Sequence, residues 1–232
     1  MNIIITGASK GIGKAIAIQF AKSGNRLLLC SRNEAELEAL TKEFSQRFPD
    51  TVIHTRVTDM GIREDVFAFA DWCLQYGAPD ILINNAGQFI PGKIQDEAEG
   101  VLEKMIDVNL YSAYHLTRKL LPSMMLAKKG HIFNICSIAS LQAYTNGGSY
   151  SISKFALMGF SKNLRLELQS HGIKVTAVAP GATMSSSWDG FEIDRNRIME
   201  SKDIALMVYA AAQLSPQAVV EDIIMRPQLG DL

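Results

Sequence analysis

Ile3-Ile4-Ile5-Thr6-Gly7-Ala8-Ser9-Lys10-Gly11-Ile12-Gly13, followed by the amphipathic run Lys14 to Ser23, reads as a short β-branched strand, a glycine-rich turn and a helix. Glycines in such a turn let the backbone come close to a pyrophosphate, whose charge the helix N-terminus then stabilises. The plainer reading is an ordinary glycine turn between strand and helix. The rest of the chain has to separate the two.

Working outward, apolar runs alternate with amphipathic segments from end to end, with no linker, repeat or low-complexity tract. The predicted strands are Asn2–Thr6, Arg26–Ser31, Val52–Val57, Ile81–Asn84, His131–Cys136, Lys174–Ala179 and Asp222–Arg226. Helical patterns lie at Gly11–Ser23, Asn33–Phe48, Arg63–Tyr76, Glu97–Ala127, Ser149–Ser170 and Ser201–Leu214. This alternation predicts a parallel, doubly wound α/β sheet. The strands are continuously apolar rather than alternating, which agrees with burial on both faces.

A chain of 232 residues fits one α/β domain better than two. Lys plus Arg (23) nearly balance Asp plus Glu (24), so no net field favours nucleic acid or an anionic membrane. No apolar run is long enough for a transmembrane segment, and with a strand at the start no signal peptide is expected. Cys30, Cys73 and Cys136 are odd in number and lack metal spacing; reduced, buried thiols suit a cytoplasmic location. His54, His115, His131 and His171 form no zinc pattern, so no metal is expected.

Tyr150-Ser-Ile-Ser-Lys154 supplies the chemistry. At helical spacing Tyr150 and Lys154 project from one face, about one turn apart. An ammonium beside a phenol favours the phenolate and brings it toward use as an acid and base near neutrality. Ser137 ends the apolar run Ile132 to Cys136, where open α/β sheets bind ligands. Alone, a Tyr-Lys pair is more often a solvated helix face.

Thr6-Gly-x-x-x-Gly-Ile-Gly13, Asn84-Asn85-Ala86-Gly87, Ser137, Tyr150-x-x-x-Lys154 and Pro180-Gly181 together resemble the short-chain dehydrogenase/reductase family in order and spacing, over nearly the whole chain. The resemblance implies a single-domain Rossmann fold with a seven-stranded sheet, and hydride transfer between a nicotinamide and a carbonyl or secondary alcohol. It implies Tyr150 as general acid or base and Ser137 as hydrogen-bond donor to the carbonyl oxygen. It implies too that Lys154 lowers the Tyr150 pKa and holds the nicotinamide ribose, and that Asn109 connects Lys154 to solvent through water. It further implies cofactor contacts at Gly7, Ser9, Lys10, Gly11, Ile12 and Gly13, at Asn85 to Gly87, and at Pro180, Gly181 and Thr183 beside the nicotinamide. Ser185 stands where many members carry threonine. Asp59 and Met60 resemble the adenine-binding pair, although Asp59 also suits a helix N-cap.

The end of the second predicted strand bears on the cofactor. Enzymes that prefer NAD usually place an acid there for the ribose 2′-hydroxyl. Here Ser31 stands in that place, Arg32 follows, and Lys10 adds a second cation, as in members that prefer NADP. Serine and guanidinium can bind a 2′-phosphate by charge-assisted hydrogen bonds. NADP(H) is therefore the expected cofactor.

Phe89, Ile90 and Pro91 are candidates for a substrate wall. Met184 to Met199, with Trp188, Asp189, Gly190, Phe191, Glu192 and Asp194, is either a substrate loop or a surface loop. The ending Val219 to Leu232 partly resembles bacterial sepiapterin-reductase-like members, which implies a pterin side-chain ketone as substrate, with 3-oxoacyl or other small ketones behind it. The family's pairing through its two long helices implies a homodimer or homotetramer. Phe155, Leu157, Met158 and Phe160 agree, being apolar on more than one helix face. Two rivals are weaker. An NADP(H)-sensing regulatory protein tends to lose the tyrosine or lysine, and both remain. A Cys136 nucleophile lacks a histidine partner.

Overall fold

Successive side chains of β1 (Asn2–Thr6) point to opposite faces, and both sets are apolar. Ile3 and Ile5 join Leu27 and Leu29 of β2 (Arg26–Ser31) in one core, while Ile4 and Leu28 enter a second. A strand buried on both sides needs helices above and below it. The computed structural model describes residues 1–185 and 194–231, and its strands form one seven-stranded sheet. β3 (Val52–Val57), β4 (Ile81–Asn84), β5 (Gly130–Ile135), β6 (Ile173–Pro180) and β7 (Asp222–Met225) complete it in the order β3-β2-β1-β4-β5-β6-β7. Every pairing is parallel, so the doubly wound Rossmann-type sheet expected from the sequence is the observed one.

Helices α1 (Gly11–Ala21), α2 (Glu34–Arg47) and α7 (Ser201–Ala212) cover one face through Ile16, Phe20, Phe44, Ile204 and Val208. Helices α3 (Arg63–Leu74), α5 (Ser112–Ala127) and α6 (Gly148–Leu168) cover the other through Phe69, Leu116, Leu120 and Leu164. The order of the strands reverses beside β1, which pairs with β2 on one side and β4 on the other. A crevice at the carboxyl ends of such strands is where this architecture takes ligands.

One predicted helix is corrected. Glu97–Ala127 is not continuous: α4 spans only Val101–Ile106, and Gly100 before it has φ 82°. Residues Asp107–Tyr111 then form a π-turn, wider than an α-helix, before α5 begins. The other helices end within two residues of their predicted bounds. Of the proposed loop, Trp188, Asp189, Gly190, Phe191 and Glu192 lie outside the described residues. Its base is a short parallel bridge, where the Met184 N–H donates to Met199 O (2.8 Å) and the Met199 N–H to Ala182 O (2.9 Å). Among the described residues no helix is long and apolar enough to cross a membrane.

Candidate active site

The turn after β1 is held by β4. The Thr6 hydroxyl accepts from the backbone N–H groups of Asn85 (3.0 Å) and Ala86 (2.9 Å), and the Asn85 amide donates to the carbonyls of Thr6 (2.8 Å) and Gly7 (3.0 Å). Gly7 has φ 63°, a left-handed conformation that only glycine adopts without strain. Gly13 serves differently. A Cβ there would lie 2.2 Å from Gly7 O and 2.5 Å from Asn85 Nδ2, so Gly13 lets the first turn of α1 pack onto the loop.

A cavity of about 610 Å³ opens along these strand ends. It is lined by Gly7, Ser9, Lys10, Gly11, Ile12, Ser31, Arg32, Asp59, Met60, Asn85, Ala86 and Gly87 from the first half of the chain. Ser137, Tyr150, Lys154, Pro180, Gly181 and Thr183 line it from the second. Two of the predicted site residues do not reach it. Gly13 is spent on packing, and Asn109 is buried behind the wall. Phe89 lines the cavity and meets the Tyr150 ring edge-on at 4.8 Å; Ile90 and Pro91 are absent from its lining. Asp59 is not the N-cap of α3, a position held by Ile62; its carboxylate accepts from the Gly61 N–H (2.9 Å) and shapes the turn.

Ser137 continues from β5 and is fixed by a reciprocal cap: its hydroxyl accepts from the Ala139 N–H (3.1 Å), and its own N–H donates to the Ser140 hydroxyl (3.1 Å). Tyr150 and Lys154 lie in the first turns of α6, whose N-cap Gly147 has no side chain to cap with. Glu97, from a loop 52 residues earlier, does that work. It accepts from the Ser149 N–H (2.9 Å) and, through its other oxygen, from the Ser149 hydroxyl. The carboxylate thereby anchors the backbone immediately before Tyr150.

Behind these groups the π-turn aims Asn109 at the β4 loop. Its Oδ1 accepts from the Gln88 N–H (2.7 Å), and its Nδ2 donates to Gln88 O (3.0 Å) and the Ser153 hydroxyl (2.9 Å). Ser153 donates in turn to the Tyr150 carbonyl (2.7 Å). Gly87 sits so close that a Cβ would lie 3.3 Å from Asn109 Oδ1 and 3.5 Å from Lys154 Nζ. The Lys154 ammonium donates to Ile135 O (2.9 Å), with Nζ 5.8 Å from the centre of the Tyr150 ring.

The electrostatics overturn one expectation. Burial pushes the Tyr150 phenol up to about 12, with the Ser137 hydroxyl pulling the other way, instead of the phenol being lowered by Lys154. The same desolvation pushes the Lys154 ammonium down to about 8. Removal from water is the largest cause of both shifts. Burial also drives the Cys136 thiol up to about 11, leaving it a poor nucleophile.

Several lining residues escaped the sequence reading. Tyr144 and Gln142 follow Ser137, Gln88 follows Gly87, and Asp231 comes from the C-terminal end, with Oδ1 3.2 Å from where a Gly181 Cβ would stand. Asn33 and Glu36 border Arg32. Their spacing, Asn-x-x-Glu at a helix start, is a capping signal that could have drawn attention to them.

A glycine turn at the switch point of a parallel sheet, sharing a cavity with Ser137, Tyr150 and Lys154, defines the class: a Rossmann-type oxidoreductase fold. More narrowly, the chain belongs to the short chain dehydrogenase family, whose pattern matches residues 1–195. It is 33% identical to a sepiapterin reductase of Chlorobaculum tepidum, with 99% of this chain and 97% of that protein covered. An uncharacterized oxidoreductase of Staphylococcus epidermidis is 31% identical, over 97% and 96%. Among solved structures, a metagenomic short-chain oxidoreductase in complex with NADP superposes with a TM-score of 0.85 at 31% identity, covering 98% and 97% of the two chains. L-Sorbose reductase from Gluconobacter frateurii, complexed with NADPH and L-sorbose, gives 0.88 at 25% identity, covering 97% and 95%.

Proposed function

We propose that the protein is an NADP(H)-dependent reductase of a small carbonyl compound, with Tyr150 as its general acid. The observation that carries this reading is the cavity shared by the glycine turn, Arg32, Ser137, Tyr150 and Lys154. The residues fit a dinucleotide. The loop at Gly7 offers backbone without a side chain in the way, the N-terminus of α1 faces the same space, and Ser31, Arg32 and Lys10 stand where a 2′-phosphate would need donors. When bound, the nicotinamide supplies the hydride.

The chain's own residues do the rest. Ser137 donates a hydrogen bond to the substrate's carbonyl oxygen as negative charge grows on it. Tyr150 delivers the proton to that oxygen in reduction and removes it in oxidation. Lys154 holds ribose hydroxyls and offsets charge left on the phenolate. Asn109 fixes the Gln88 backbone and, through Ser153, the Tyr150 carbonyl, so that a water beside Lys154 can return the proton. Glu97 keeps the helix start from shifting under Tyr150.

A pterin side-chain ketone is the substrate we favour. The support is the similarity to the Chlorobaculum sepiapterin reductase, together with a lining of Phe89 and Tyr144 for a flat ring and Asp231 for N–H donors. NADPH oxidation followed by absorbance against pterins, diketones and 3-oxoacyl thioesters tests it; turnover of the thioesters alone would favour the second substrate class. NADPH is expected to outperform NADH in the same assay.

Lys154 gives the reaction a pH limb. The ammonium is present below about 8 and is lost above it, because burial favours the neutral amine. The kcat/KM for carbonyl reduction, which reports the free enzyme, should fall as pH rises through that value. A flat profile from about pH 6 to pH 10 would contradict the assignment.

The chain also assembles with itself in this reading. Ile152 and Phe155 on α6 are each 44% exposed, and Leu166 further along is 72% exposed, while Leu157 and Met158 are buried against the sheet. An apolar stripe left outside on this helix suits a helical interface between copies. Light scattering should give a dimer or tetramer; the mass of one 25.5 kDa chain at micromolar concentration would contradict it.

A further inference from the structure

The end of β2 carries no acid, yet an acid occupies the same part of the cavity. Glu36 arrives from α2, three residues after the cap Asn33, whose side chain accepts from the Glu36 N–H at 3.1 Å. Its carboxylate crosses to the glycine turn. The Ser9 hydroxyl donates to Oε2 at 2.7 Å and the Lys10 ammonium to Oε1 at 3.1 Å, while the Asn33 amide lies 3.4 Å from Oε1. Glu36, Ser9, Lys10, Arg32 and Asn33 all line the cavity. Two of the groups that a 2′-phosphate would use, the Lys10 cation and the Ser9 hydroxyl beside it, therefore already hold an anion of the protein's own.

The two nicotinamide dinucleotides differ only at this point. A ribose 2′-hydroxyl can donate a hydrogen bond to a carboxylate, which is the service an acid at the end of β2 performs in enzymes that prefer NAD. A 2′-phosphate cannot. It must take Lys10 and Ser9 from Glu36 and tolerate the remaining negative charge nearby. Hydrogen bonds from Ser9 and then Lys10 hold the Glu36 carboxyl below its usual range, so the charge is present throughout the neutral pH range.

We propose that Glu36 sets the protein's choice between nicotinamide cofactors, competing with the 2′-phosphate of NADPH for Lys10 and Ser9 and accepting the 2′-hydroxyl of NADH. The preference created by Arg32 and Lys10 is thereby narrowed, and NADH is a working second cofactor. This inference rests on the cavity binding a nicotinamide dinucleotide, as proposed above.

The test is calorimetric titration of NADPH and NADH into the parent protein, Glu36→Gln, Glu36→Ala and Lys10→Met, with kcat/KM for both nucleotides measured alongside. Glu36 is half-buried, and the hydrogen bond its backbone N–H donates to the cap Asn33 is kept by both substitutions; melting curves check the helix start. Loss of one charge-assisted contact for NADH, together with release of Lys10 to NADPH, should raise the Kd ratio of NADH to NADPH roughly tenfold or more in both Glu36 variants. Introduced into Lys10→Met, Glu36→Gln should tighten NADPH much less, because the cation to be released is gone. A ratio that stays within about twofold of the parent, or falls, overturns the role of Glu36. Failure of the parent to bind either nucleotide would instead overturn the reading of the cavity.

Discussion

Tyr150→Phe should abolish carbonyl reduction almost completely while leaving the protein folded and able to bind NADPH. The substitution removes one oxygen. The ring keeps its edge-on contact with Phe89 at 4.8 Å, and Lys154 keeps its hydrogen bond to Ile135 O. What is lost is the only proton donor proposed to reach the carbonyl oxygen, and general acid catalysis of this kind is worth roughly 10²–10⁴ in rate. The phenol's position near 12 makes the assignment more specific, since Tyr150 holds its proton at neutral pH and is poised to give it up only as charge develops on the substrate. A kcat decrease of about a thousandfold with nearly unchanged NADPH affinity is the expected result. Retention of even a tenth of the parent rate would transfer the proton to another group, such as the Tyr144 phenol, which lines the same cavity.

Gly13→Ala should damage both fold and binding, although it touches no part of the cavity. The added methyl would meet the Gly7 carbonyl oxygen at 2.2 Å and the Asn85 amide at 2.5 Å, and the first of these is backbone. Relief requires α1 to move off the turn, which loosens the hydrogen bonds from Asn85 to the Thr6 and Gly7 carbonyls. Overpacking of this sort costs about 3 kcal/mol. In a chain of 232 residues that corresponds to a fall in melting temperature of roughly 6–12 °C. NADPH affinity should fall with it, because the displaced helix N-terminus is the one proposed to face the pyrophosphate. A variant with parent melting temperature and parent affinity would show that the turn and helix are not packed as described.

Most of the fold was legible because its strands are buried on both faces. Apolar runs such as Ile3-Ile4-Ile5 and Leu27-Leu28-Leu29 leave little choice but a sheet covered above and below, and the intervening helical patterns make that sheet parallel. The stretch from Glu97 to Gly100 has a composition that suits helix but lies outside α4, which starts at Val101. What holds it in another conformation is a contact far off in the chain, Glu97 capping Ser149, which no local pattern records. Glu36 was missed for the same reason: its partners Ser9 and Lys10 lie 27 and 26 residues away.

Which residues share the cavity was legible; the contacts each of them makes were less so. Gly13 belongs to the glycine motif yet packs against Gly7, and Asn109 lies behind the wall, bonded to Gln88 and Ser153. The direction of the Tyr150 shift is not legible in the sequence, because spacing along a helix reports the neighbouring charge and not the desolvation. Desolvation depends on how completely Lys154 and Tyr150 are enclosed, a property of the assembled fold.

A nicotinamide dinucleotide should lie along the carboxyl ends of β1 and β4, and a crystal structure of the protein grown with NADP⁺ tests that most directly. Electron density should run from Arg32 past Gly7 to Tyr150 and Lys154, with the 2′-phosphate beside Lys10 and Glu36 turned away from it. Density for the nucleotide at any other place, or an unchanged Glu36 carboxylate still bonded to Ser9 and Lys10 with the cavity empty at saturating NADP⁺, would contradict it.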